Sequence, residues 1–363
     1  MNSPKRIDYL DTVKAVGIFL VYIGHIAGDL WPLGIEKVFL PWKFIYSFHM
    51  PLFFFLSGIF AKPAQRKFTK TLKLKAQTRL LPVLFFGCIA IPFLILSGIS
   101  IQNILVKGAF YFLGYPMLNW VTWFIICLFT IEIGIELLAR FFPISGTWRL
   151  IFYILIFSTI GSLLTPYECI KFDLTATRTN YWFAREAVPA ASFYLTGFLL
   201  KNYLIAPINR QLDVVILLLS FCILLLTFNL NQGPFTAPYS GVLMCYLSHG
   251  NPLLFFVTAY AGIFFMVWLF RLIKIRSAVM NFVGQNTLIF MGLCGLWRNY
   301  YFYKATIKFV GYFPKSSLFV FLYIFAVTCI QMLLVTPFVF LLRRYFPELV
   351  GHQRSRTSLL AFL

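Results

Sequence analysis

Residues 212–230 read LDVVILLLSFCILLLTFNL. A run of that length and polarity is what an α-helix needs to cross roughly 30 Å of hydrocarbon at about 1.5 Å per residue. Comparable apolar blocks fall at roughly 12–29, 44–61, 81–98, 119–138, 150–165, 186–201, 253–272, 282–298 and 318–342, so ten spans are expected. The 363-residue chain is 60% hydrophobic and 12% charged, with a mean hydropathy of +0.84. A soluble domain has about 45–50% and 25%, and its core could not hide so much apolar surface. The expectation is an all-α polytopic transmembrane bundle: a single membrane domain over 1–363, with no soluble domain and no internal repeat.

With ten spans, the loops at 62–80, 139–149, 202–211 and 273–281 share one side with the terminal segments 1–11 and 343–363. They hold most of the lysine and arginine, so the positive-inside rule makes both termini cytoplasmic. The opposite loops, at 30–43, 99–118, 166–185, 231–252 and 299–317, are longer and mixed in charge. The last of these is as basic as an inner loop, with Lys304, Lys308 and Lys315. The net charge of +20 is thus read as topology setting and contact with anionic headgroups of the lipid bilayer. No nucleic-acid motif is present, and nucleic acid is not an expected partner. The seven cysteines are scattered, with no CxxC pair, which argues against a disulfide framework or a zinc site. No metal is expected.

Ionisable groups inside a span cost several kcal/mol on insertion scales, so each needs a partner, an aqueous cavity or a task. The first span carries Asp11, Lys14 and His25. Lys14 and His25 are eleven residues apart, about three turns plus 20°, which puts them on one stripe with ~16 Å between them. Asp11 lies three residues before Lys14, neighbouring positions on a helix. A second cluster is Phe48-His49-Met50-Pro51, followed by an aromatic run that ends in Ser57-Gly58. Pro51 should loosen the helix ladder, and Ser57-Gly58 should permit close helix packing.

Acyl transfer to a hydroxyl needs a base for the acceptor proton, a donor to the tetrahedral oxyanion and a site for the anionic acyl carrier. His25 has the chemistry of the base, or of an acyl-accepting nucleophile. His49 could orient it or donate to the oxyanion, and Lys14 suits a phosphate or carboxylate partner. Lys70, Lys73, Lys75 and Arg79 cluster at the cytoplasmic face, where they either hold donor phosphates or set topology. Glu132 and Glu136 are candidates to pair with basic loop residues. Arg178, Arg185 and Glu186 either frame an outer acceptor site or are solvated loop charges.

Arg6 to Ala15, Gly24-His25, Phe48 to Gly58 and Arg79-Leu80-Leu81-Pro82 together resemble the acyltransferase 3 superfamily, in particular its fucose 4-O-acetylase-like membrane acetyltransferases. Weaker likeness continues at Trp123-Phe124, Tyr194 to Leu199 and Gly284 to Leu288. The family pattern is a basic residue, ten residues and a histidine in the first helix; Lys14 stands where arginine is usual. A second departure is the ninth span, where relatives often carry a histidine and this chain reads Met291-Gly292-Leu293-Cys294-Gly295.

The resemblance implies transfer of an acyl group, usually acetyl, from cytoplasmic acetyl-CoA to a hydroxyl of a surface glycan or its polyprenyl-linked precursor. It implies a multi-pass protein of the cell inner membrane with acyl-CoA as co-substrate and no bound cofactor. His25, Lys14 and His49 would be catalytic, Lys73, Lys75 and Arg79 donor-binding, and Asp11 and Ser57 supporting. Two rivals remain: a secondary transporter or flippase for a lipid-linked sugar, and a scaffold in which the same residues only bridge helices.

Overall fold

The computed structural model describes residues 7–30, 35–165, 181–231, 241–297 and 316–352. Lys304, Lys308, Lys315, Arg178 and the tail beyond residue 352 lie outside the described residues. In chain order the helices are α1 (Asp8–Leu30), α2 (Phe39–Tyr46), α3 (His49–Ile59), α4 (Phe68–Lys75), α5 (Leu81–Leu96), α6 (Ile101–Ala109) and α7 (Trp123–Phe141). There follow α8 (Thr147–Leu164), α9 (Ala184–Ile205), α10 (Arg210–Thr227), α11 (Pro252–Ile273), α12 (Ala278–Gln285), α13 (Thr287–Trp297) and α14 (Ser317–Tyr345).

Among the described residues, eight helical segments are long and apolar enough to cross a membrane. The chain is a multi-pass membrane protein. One segment joins α2 and α3 over Glu36–Ile59, and another joins α4 and α5 over Phe68–Leu96. Helix α9 has 22 residues but is not among the eight. The expected ninth span is interrupted rather than continuous: α12 ends at Gln285 and α13 starts at Thr287. Asn286 stands between them and donates its side-chain amide to the Phe282 carbonyl, 2.6 Å away. A short amide that satisfies a local carbonyl in this way competes with the helix ladder.

Lipid exposure follows position in the bundle. The outer helices α8 and α10 bury 11% and 17% of their apolar windows, whereas α1 and the α2–α3 segment bury 56% and 72%. The inner set is therefore α1, α2, α3, α7 and α11. Helices α3 and α9 cross backbone to backbone: a methyl group at Gly58 would collide with the Tyr194 carbonyl, and one at Gly197 with the Phe55 carbonyl. Between membrane helices, small residues at the contact permit such close approach.

At one end of the bundle the Arg271 guanidinium lies 3.0 Å from the Asp213 carboxylate, and both are buried. Asp213 also accepts from the Tyr203 hydroxyl at 2.6 Å and the Trp268 indole at 2.9 Å. This cluster ties α9, α10 and α11 together, and the Tyr9 hydroxyl, donating to the Leu204 carbonyl at 2.9 Å, attaches α1 to the same end.

Candidate active site

The opposite end of the bundle is hollow. A cavity of about 310 Å³ lies among the last turns of α1, the α2–α3 junction, the end of α5, the segment before α7 and the loop at 242–246. His25 and His49 both line it, as do Asp29, Asn119 and Ser97. Trp42, Tyr46, Phe93, Trp120, Trp123 and Tyr246 give its walls aromatic faces. Trp42 stacks on Tyr46 with centroids 4.3 Å apart, and Trp120 on Tyr246 at 5.6 Å. Gly24 makes the wall possible, because a methyl group there would come 2.9 Å from the Tyr46 ring.

The break between α2 and α3 positions His49. Ser47 and Phe48 interrupt the two helices, and the His49 Nδ1–H donates to the Ile45 carbonyl at 2.9 Å. A carbonyl only accepts, so in the neutral ring the proton is on Nδ1 and Nε2 carries a lone pair. His25 is held from the other side of the site. Cys294 Sγ lies 3.5 Å from its Nδ1, and one helical turn earlier on both helices the Tyr22 hydroxyl donates to the Phe290 carbonyl at 2.7 Å. Asn119 donates to the Gly292 carbonyl at 2.8 Å, which fixes α13 further.

Lys14 and Asp11 lie about three turns of α1 away from His25. Lys14 Nζ is 3.4 Å from Asp11 Oδ1 and 4.7 Å from the centroid of Phe60, and neither residue lines the cavity. Ser57 donates to the Phe53 carbonyl at 2.8 Å.

The basic cluster is at the far end from the cavity. Lys75 Nζ and Arg79 Nη2 reach Glu132 Oε1 at 2.7 Å and 2.9 Å, and Arg79 Nε reaches Oε2 at 3.0 Å. Lys75 and Arg79 are four residues apart, and the π-helical turn Ala76–Leu80 between α4 and α5 includes Arg79. Lys70 and Lys73 are exposed. Glu136 accepts from the Ala64 N–H at 2.9 Å and pairs with Arg140. From Lys75 to the cavity-lining Ala90 is about fifteen residues of helix, ~22 Å, so the two groups of candidate residues are not brought together.

Glu186 is buried, while Arg185 donates to the Leu164 carbonyl at 3.1 Å. The 241–251 segment, read from sequence as part of an outer loop, turns inward through an antiparallel bridge between Leu243 and Ser248 and forms one wall of the cavity. His249 anchors it. Its Nδ1 is 3.2 Å from the Thr165 hydroxyl, its ring stacks 4.1 Å from Phe255, and Asn231 donates to its carbonyl at 2.8 Å. Burial pushes the His249 imidazole down to about 3. Sequence reasoning did not select Cys294, Tyr46, Tyr246 or this loop. Cys294 does lie in the stretch of the ninth span, Met291 to Gly295, that departs from the family pattern.

Fold and site together define a polytopic α-helical membrane protein with an internal, aromatic-walled cavity that holds two histidines. The chain belongs to the acyltransferase domain family, whose model matches residues 7–336, and it is a membrane acyltransferase. No curated protein and no solved structure matches the chain.

Proposed function

We propose that this protein moves an acyl group, with acetyl as the first candidate, from cytoplasmic acyl-CoA to a hydroxyl of a surface glycan or its polyprenyl-linked precursor. The observation that carries the reading is the meeting of His25 and His49 at one aromatic cavity. Its volume of about 310 Å³ falls at the lower end of small-molecule sites. Aromatic faces combine apolar area with polar rims and suit the alternating C–H and O–H faces of a sugar ring.

In this reaction the acceptor hydroxyl attacks the thioester carbonyl as its proton passes to a histidine. The second histidine holds the oxyanion, and collapse expels CoA thiolate, which takes the proton back. Lys73, Lys75 and Arg79 would bind donor phosphates at the basic face, with Glu132 fixing the last two. Lys14 and Asp11 lie near the start of α1, about three turns from His25. The thioester end of the donor has to cover the intervening depth. The inner-membrane location with both termini cytoplasmic belongs to the same proposal, supported by the charge of the 62–80 loop.

Purified protein in lipid nanodiscs should release CoA thiol from acetyl-CoA in the presence of one member of a lipid-linked sugar panel. His25→Ala should lower that rate ~10²–10⁴-fold while the protein stays folded; full activity in this variant would overturn the assignment. The interruptions between α2 and α3 and at Asn286 also suit a transporter or flippase for a lipid-linked sugar. That reading expects labelled sugar to cross vesicles without any thioester being consumed.

A further inference from the structure

We infer that Asn119 selects the acceptor: its side-chain oxygen is a fixed hydrogen-bond acceptor in the cavity wall for one sugar hydroxyl other than the one that is acylated. The inference rests on the acyl-transfer reading and deepens it by naming the group through which the sugar is recognised.

The local chain leaves only the side chain of Asn119 to be used elsewhere. In the segment that leads into α7, its N–H donates to the Pro116 carbonyl at 3.0 Å, and its own carbonyl accepts from the Thr122 N–H at 3.1 Å and the Thr122 hydroxyl at 2.8 Å. An asparagine at the start of a helical turn ordinarily caps it with the side-chain oxygen, but no such bond forms here. The amide nitrogen is engaged across the bundle instead. Nδ2 donates to the Gly292 carbonyl at 2.8 Å and faces the Phe86 carbonyl at 3.5 Å. One amide reaches both helices because α5 and α13 are in close contact, so close that a methyl group at Gly292 would collide with the Phe86 ring. Carbonyls only accept, so the NH₂ group must stand on their side and the amide cannot be turned over.

That arrangement leaves Oδ1 as the unused atom. No donor among the described residues reaches it, yet it is not a sealed polar atom without a partner, as the Tyr111 hydroxyl and Asn286 Oδ1 are. It therefore keeps open surface. Asn119 is 4% exposed and forms part of the cavity wall, so that surface belongs to the cavity.

A lone acceptor in such a wall defines what fits opposite it. A carboxylate, a phosphate or an ether oxygen would set lone pair against lone pair, and a C–H group would leave Oδ1 desolvated and unpaired. A hydroxyl donates to it. An amide oxygen is too weak a base to take the proton that leaves during attack, so the hydroxyl held here is a neighbour of the reacting one. Trp120, the next residue, lines the same cavity and stacks on Tyr246. A sugar ring lying on an aromatic face carries its hydroxyls at the ring edge, where an adjacent amide can meet them.

Trp42, Trp120 and Trp123 line the cavity, so tryptophan fluorescence of the full-length protein in lipid nanodiscs reads sugar binding with no acetyl-CoA present. The probes are the methyl glycosides of glucose, galactose, mannose and N-acetylglucosamine, each with its monodeoxy and monodeoxyfluoro derivatives. Fluorine keeps the polarity of the hydroxyl but cannot donate. For the glycoside that binds best, one position is expected at which both derivatives bind about 5- to 150-fold more weakly, the cost of leaving a buried acceptor unpaired. In Asn119→Ala that one penalty should vanish while those at other positions remain. The kcat/KM of CoA-thiol release should show the same pattern, with the KM for acetyl-CoA unchanged. A residue that only pins α13 would weaken all the analogues alike and leave their ratios untouched. The wild-type comparison of parent, deoxy and deoxyfluoro sugars needs no variant, so the test holds even where Asn119→Ala folds poorly. No binding by any of the four glycosides, deoxyfluoro sugars that match the parent at every position, a penalty retained in Asn119→Ala, or a change in that variant confined to the KM for acetyl-CoA would each overturn the inference. Sugar binding with the expected preference but without CoA-thiol release would count against the acyl-transfer reading instead.

Discussion

Replacing Asp213 with alanine removes the counter-ion of a guanidinium whose side chain is 1% exposed. Arg271 would keep the carbonyls of Tyr203 at 2.8 Å and of Ala206 and Pro207 at 3.3 Å each, and the Tyr203 ring 4.7 Å away, none of them an anion. The Tyr203 hydroxyl and the Trp268 indole would lose their shared acceptor as well. Breaking a buried pair on one side costs about 3–5 kcal/mol, because a charge remains buried without compensation. At 1.36 kcal/mol per decade, that is roughly a 150- to 5,000-fold shift in the unfolding equilibrium. Equilibrium unfolding in mixed detergent micelles, followed by circular dichroism, measures it. The double variant Asp213→Leu, Arg271→Met removes both charges and should recover most of the loss, since a hydrophobic replacement of a buried pair is often neutral or stabilising. The cluster sits at the other end of the bundle from the cavity, so CoA-thiol release per folded molecule should be unaffected. An Asp213→Ala protein within ~0.5 kcal/mol of wild type, the scatter of an ordinary surface change, would refute this account, as would a double variant no more stable than the single.

Gly58→Val or Gly197→Val should separate α3 from α9 and destabilise the protein by about 1–3 kcal/mol; equal folded yield and unchanged melting would count against the close crossing. Trp120→Ala or Tyr246→Ala removes a stacked pair from the cavity wall. Each should raise the KM for a sugar acceptor by about two- to tenfold, the worth of an aromatic contact, with the acetyl-CoA KM unchanged, and a change confined to the donor KM would contradict it. His249 is held down to about 3 by burial, below the ordinary value of 6.5. Its neutral form is favoured in the folded state, so its contribution is complete above pH 6.5 and is lost as the pH falls towards 3. At pH 5.5 the loss is on the order of 1–2 kcal/mol. His249→Gln should abolish that increment of acid sensitivity in thermal unfolding, and identical pH slopes for the two proteins would disprove it.

Much of the site's raw material was legible in the first sixty residues. Lys14, His25 and His49 break the hydrophobic rule of their spans, and a charge or imidazole in lipid needs a reason. Gly58 could be read as a contact point, and it meets the Tyr194 carbonyl of a neighbouring helix. Depth was harder to read. Lys75 and Arg79 are cationic in sequence, but Glu132 takes both of them, and hydropathy does not say which helix faces which. The pairing of Cys294 with His25 was not legible, because it bridges 269 positions of chain.

The sequence by itself determined the solvent of this protein: runs of apolar residues of helical length leave a chain no stable place but lipid, and backbone polarity then requires helices. Tertiary structure alone decided which ends of those helices enclose the cavity, where α12 gives way to α13, and that His25 and His49 line one cavity. Those outcomes depend on contacts between helices far apart in the chain. The hydrophobic effect that places helices in the membrane is the same for every helix and does not choose their neighbours; packing and hydrogen bonds do.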